Sequence, residues 1–264
     1  MKRFLLFYLF LQFINCFSQS FVLPDTVIYY KFGNSQTFGQ NSPYFPKNIL
    51  GLPDTSAKWN IPSSDPEKIC SIGIDGEIIL GFISNPIVNK DGPDFIVYEN
   101  AFEMWNGKIF VEPAEIYVSK DNIMYYKFPL DTFTLVGCAG LTPTIGNKIL
   151  SDPLNSGGVK FDLSVVGIDT VLYVKIKDVS NIILNNKNHP YYNALISGFD
   201  LDGVIGLNYV KRPIANENLR NVSYTTSLYP NPTNGFSILK IRSNYYENIK
   251  IQIFNILGEI VQSV

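Results

Sequence analysis

Asp200 and Asp202 stand two apart in GFDLDGVIGL, Gly198 to Leu207, where apolar and polar residues alternate. Residues i and i+2 of a strand share a face, so both carboxylates are expected on one side, with Phe199 and Leu201 on the other. Like charges held that close invite a cation. With Glu99, Asn100, Asp94 or Asp91 brought near by the fold, they would supply the hard oxygen ligands that Ca²⁺ prefers. The plainer reading is a strand whose outer face is solvated. The same acids would also suit a glycoside hydrolase, in which one carboxyl serves as acid and another, about 5 to 9.5 Å away, as base or nucleophile. A second set is aromatic: Trp59, Trp105, Tyr44, Tyr191 and Tyr192 fall in expected loops. There, flat rings could stack on sugar faces while neighbouring Asn and Asp side chains bond hydroxyls. The alternative is that the loops fold back and bury these rings over the core.

Other chemistries lack their residues. A serine triad would have to use His189, the single histidine, and no G-x-S-x-G turn is present. His189, in NKNHPYY, is expected to be an exposed loop residue. The sequence also has no P-loop, dinucleotide fingerprint or HExxH. Cys70 and Cys138 would remain after removal of an N-terminal leader, and with one histidine they cannot complete a four-ligand zinc site. Those two cysteines either pair as a disulfide in an oxidising compartment or serve as buried thiols. With a net charge of -2, the chain carries no positive field to draw in a phosphate backbone, which excludes nucleic acid as a partner class. The expectation is a non-catalytic protein with no required cofactor.

The elements that position these residues read as short strands. Charged residues make up only 17% of the 264, with 19 Gly and 16 Pro, the balance of a loop-rich all-β protein rather than a helical bundle. Period-two alternation marks EIILGF (Glu77–Phe82), DFIVY (Asp94–Tyr98), EIYVS (Glu115–Ser119), MYYKF (Met124–Phe128), VLYVKIK (Val171–Lys177) and LDGVIGL (Leu201–Leu207). In VLYVKIK, Leu172, Val174 and Ile176 point one way and Tyr173, Lys175 and Lys177 the other, as in a half-solvated antiparallel sheet. Clusters such as NKDGP (Asn89–Pro93) and DPLNSGG (Asp152–Gly158) are turn chemistry. Two packed sheets satisfy this pattern.

The order of these segments resembles a known architecture. EIYVSKDNIMYYKF (Glu115–Phe128), with its Ser-x-Asp turn, is similar to the central hairpin of discoidin-like, galactose-binding-like jelly rolls. VLYVKIKD and GFDLDGVIGL are similar to that superfamily's closing strands. The resemblance implies a jelly-roll body at residues 19–212, of a kind that often carries structural calcium. YFPKNILGLPD (Tyr44–Asp54), DGPDFIVYENAF (Asp91–Phe102) and GCAGLTPT (Gly137–Thr144) also resemble a widespread set of uncharacterised secreted bacterial proteins.

Both ends of the chain read as addresses. Lys2 and Arg3 precede an apolar run from Phe4 to Ile14, broken only by Gln12 and too short to cross a bilayer as an anchor. This is expected to be a signal peptide, residues 1–18, cleaved after Ser18; a lipoprotein site at Cys16 is the runner-up. Residues 213–225 lose hydrophobic periodicity and read as a linker. Residues 226–264 then carry Tyr229-Pro230-Asn231-Pro232, Asn234-Gly235, and paired apolar segments around Gly258. These motifs resemble the type A C-terminal sorting domain of the type IX secretion system. The resemblance implies passage through the periplasm, recognition by the type IX machinery and an end at the outer cell surface or outside the cell. The family's closing strands, with a Gly-x-Tyr element, are missing before Val264, so an incomplete sorting domain is expected. The functional expectation is a secreted binding module, for glycans. Alternatives are a structural or adhesive protein that binds another protein, or a glycoside hydrolase.

Overall fold

The computed structural model describes residues 21–35, 37–211, 225–229, 236–242, 252–254 and 260–263. The chain divides into two units, Met1–Arg212 and Pro213–Val264. In the first, chain order runs β1 (Thr26–Lys31), β2 (Cys70–Ser71), β3 (Glu77–Gly81), β4 (Ile87–Val88) and β5 (Phe95–Glu99). It continues with β6 (Phe102–Glu103), β7 (Ile109–Phe110), β8 (Ala114–Ser119) and β9 (Tyr126–Lys127). The last four are β10 (Val159–Phe161), β11 (Thr170–Val171), β12 (Tyr173–Asp178) and β13 (Asp200–Gly206). The two α-helices among the described residues, α1 (Lys47–Leu50) and α2 (Asn181–Leu184), are single turns. The fold is all-β.

Strand β12 shows how patterning becomes architecture. Val174, Ile176 and Asp178 are buried while Tyr173, Lys175 and Lys177 are partly open, so one face of the strand packs inward. It pairs antiparallel with β3 and β8, within a five-stranded sheet ordered β1-β3-β12-β8-β9. A four-stranded antiparallel sheet, β10-β5-β13-β2, lies opposite. Ile78, Ile116 and Val174 of the first sheet share one core with Phe95, Phe161 and Val204 of the second, which makes the body a sandwich. At its centre Phe95 stacks on Phe161 at 5.1 Å, and Phe128 meets Phe161 edge-on at 4.9 Å.

The sheets differ on their outer faces. That of the five-stranded sheet is solvated, with Lys175 Nζ 4.1 Å from the Tyr125 ring centre and Lys127 paired to Glu115 at 2.5 Å. That of the four-stranded sheet is covered: Ile96, Tyr98 and Ile205 pack with Ile149, Leu207 and the chain near Phe21. Strand β5 is therefore buried at every residue, a departure from the alternation expected of DFIVY. The MYYKF strand is also shorter than expected, with only Tyr126 and Lys127 in the ladder.

In the second unit β14 (Thr225–Tyr229) pairs with β15 (Ile238–Arg242), and β16 (Gln252–Phe254) with β17 (Ile260–Ser263), both antiparallel. The signal peptide, residues 212–224 of the linker region, Pro230, Asn231, Pro232, Asn234, Gly235 and Gly258 lie outside the described residues.

Candidate functional site

The hairpin of β6 and β7 organises the candidate site. Phe102 and Phe110 stack across it at 5.2 Å, and Met104 N donates to Lys108 O at 2.8 Å to close its turn. Gly107 takes the positive φ of 75° that this turn needs. At the tip, Trp105 is 97% exposed. Trp59 ties a second loop to the same hairpin: its Nε1 donates to Glu103, and Glu103 N donates to Trp59 O at 2.9 Å.

Two cavities flank the hairpin and share Phe110 as a wall. The larger, about 560 Å³, is lined by Phe110, Tyr191 and Tyr192 together with Asn106, Lys108 and Asn193. His189 holds the tyrosine segment in place. Its Nε2 lies 3.0 Å from Thr132 O, while Nδ1 accepts from Tyr191 N at 3.2 Å, so Nε2 is the protonated nitrogen. The ring is 5% exposed and lies near Phe133 and Tyr191, which corrects the expectation of an exposed loop histidine. Polar sequence neighbours concealed a burial that arises from distant contacts.

The smaller cavity, about 270 Å³, is lined by Phe38, Phe102, Phe110, Asn100, Glu112 and Asp200. Glu112 Oε1 accepts from Ser197 N, from Gly198 N at 2.9 Å and from Ser197 Oγ at 3.1 Å. Burial and the neighbouring Asp200 charge nevertheless push the Glu112 carboxyl up to about 8. Burial raises Asp200 as well, against hydrogen bonds from Ser71 and Asn100. Glu99 is raised well above the ordinary range, first by burial and then by the charges of Glu112 and Asp200. Asp202 is pushed up to about 7 by burial, although it accepts from Asp54 N at 2.7 Å.

The acids foreseen as calcium ligands are thus only partly gathered. Glu99, Asn100 and Asp200 lie together. A register shift between Leu201 and Gly203 interrupts the ladder at Asp202, which serves the Asp54 loop instead. Asp94 stands at the far end of β5 from Glu99, on the order of 16 Å along the strand. There it accepts from Lys90 N, Leu163 N and Asn208 Nδ2 at 2.8–2.9 Å, and Asp91 is exposed in the adjoining turn. Among the described residues no group of three or more His, Cys, Asp or Glu side chains is disposed to hold a metal ion, and the six foreseen residues are not brought to one point. The open question of a disulfide resolves to two free, buried thiols: Cys70 belongs to the main core and Cys138 to a separate cluster with Val111 and Ile183. Burial holds both thiols up at about 12.

Of the aromatic candidates, Tyr191 and Tyr192 line the larger cavity, Trp105 sits between its liners Met104 and Asn106, and Trp59 braces the hairpin. Tyr44 is half-buried beside α1 and belongs to neither cavity. Sequence reading missed Glu112, Phe102 and Phe110. Their only signal was a carboxylate between Val111 and Pro113, just ahead of an alternating strand.

The profile of the secretion system C-terminal sorting domain family matches residues 227–264. No curated protein matches the chain. The matched segment lies within the second unit and indicates that this all-β protein is exported to the cell surface or secreted. The type IX secretion machinery is the partner met on that route. No helix among the described residues is long and apolar enough to cross a membrane.

Proposed function

We propose that the body is a non-catalytic binding module that takes a carbohydrate in the cavity of Phe110, Tyr191 and Tyr192. The observation that carries this reading is Trp105, 97% exposed between two residues that line a cavity of about 560 Å³. A large ring held wholly in water forgoes its burial energy, and such a ring beside a cavity suits a ligand with its own apolar face. Asn106 and Asn193 line the same cavity as polar partners for hydroxyls, and both tyrosines are partly open. Resemblance of the body to galactose-binding-like jelly rolls favours the same ligand class.

A glycan array probed with the full chain is expected to give selective binding. Trp105→Ala and Tyr191→Ala should each weaken it about tenfold, the loss of roughly one stacked ring. Binding unchanged in both variants contradicts the reading. If a surface protein is retained and soluble sugar fails to compete, the adhesive alternative replaces it. Turnover of a glycoside panel would bring back the hydrolase.

A further inference from the structure

The cavity on the Asp200 side of the hairpin has a chemistry that its neighbour lacks. Phe38, Phe102 and Phe110 line it together with Asn100, Glu112 and Asp200. Behind them Glu99 is 2% exposed, and its Oε2 has no hydrogen-bond partner. Glu99 lines a void of about 10 Å³ that shares Ser63 and Asn100 with this cavity. Among the described residues, none of these three carboxyls forms an ion pair with a lysine or arginine. Lys68, which acts on the neighbouring Asp202, is held 2.9 Å from Asp54.

Three desolvated acids without a base form a site short of positive charge. What fills it is constrained by the walls. A hard, strongly hydrated ion needs a cage of oxygen ligands, and no such grouping of acids is present among the described residues. Aromatic walls beside carboxyls suit an organic cation, drawn by the acids and by whichever π-face it meets. We propose that this cavity receives a protonated primary amine, and that the amine belongs to an amino sugar whose ring rests in the adjoining cavity across Phe110. This inference rests on the carbohydrate reading and names its ligand class. The arriving ammonium favours ionised Glu112, so an amine already protonated in solution displaces the Glu112 proton to water on binding, whereas a neutral amine takes that proton up and releases none.

The test is calorimetric titration of the full chain at pH 6, where the ligand amines are mostly protonated and Glu112 still holds its proton, with the tetramer of β-1,4-linked glucosamine and with its N-acetylated counterpart. The free amine is expected to bind about tenfold or more tightly, as a charge-assisted contact in a desolvated site allows. Its heat should differ between two buffers of unlike ionisation enthalpy, which reports the released proton. Glu112→Gln and Asp200→Asn, each checked for a cooperative melt, should both erase the preference and leave the N-acetylated tetramer unaffected. Equal affinity of the two tetramers, or a preference that survives in a folded variant, overturns this inference and leaves the carbohydrate reading standing. If neither tetramer binds, this inference falls, and the carbohydrate reading is decided by the glycan array. Stabilisation by Ca²⁺ of the wild type but not of Asp200→Asn would assign the cluster to a metal and also overturn it.

Discussion

Glu112 and Asp202 couple the fold to pH. Both are raised by burial, Glu112 from 4.5 to about 8 and Asp202 from 3.8 to about 7. Across those windows the folded protein keeps protons that the unfolded chain has released, so stability falls as pH rises. The effect of Glu112 alone is on the order of 5 kcal/mol at its full extent. Asp54 and Glu115 act in the opposite sense: burial pushes each up, but hydrogen bonds from Ser56 and Lys68, and from Lys127 and Tyr117, outweigh it. Their contribution is lost as pH falls below the ordinary carboxylate range, and solvent near these groups keeps it small. The melting temperature should therefore be highest near pH 4.5 and decline through pH 8, with Glu112→Gln and Asp202→Asn each flattening the decline. A profile rising over that range would contradict the burial of these acids. None of this was legible in the sequence. Glu112 lies outside any periodic segment, and only the approach of Ser197, Gly198 and Asp200 gives it its environment.

Strand β13 owes its position to the turn that leads into it. Gly198 adopts φ 108°, and a Cβ there would lie 2.3 Å from the backbone of Gly73. Gly198→Ala should lower stability on the order of 3 kcal/mol and loosen the amide held on Glu112 Oε1. Gly92 is the control: its φ is 83° and a Cβ there would meet nothing within 4 Å, so Gly92→Ala bears backbone strain alone, about 1 kcal/mol. Thermal melts of the two variants should separate by several degrees, and equal losses would remove the packing argument. Alternation made β8 and β12 readable because each buries one face in the core. It left out β6 and β7, two residues each, because a period cannot be seen in so short a strand. Edge strand β1 escaped notice as well: Tyr29 and Tyr30 are both exposed, and a register shift between Val27 and Tyr29 breaks its alternation.

At the level of the entire chain, the division between Arg212 and Pro213 separates the sandwich body from the address. The tail was the part of the function most readable in sequence. Its Pro, Asn and Gly residues lie between apolar segments, and those segments form the pairs β14–β15 and β16–β17. The candidate site was less readable, because residues 38, 100, 102, 110, 112 and 200 meet only in three dimensions. The most direct measurement compares the full chain with a version ending at Arg212, both tagged internally, in a bacterium that runs the type IX exporter. The full chain is expected on the cell surface or in the medium, and the shortened one in the periplasm. Equal distribution of the two would contradict the account.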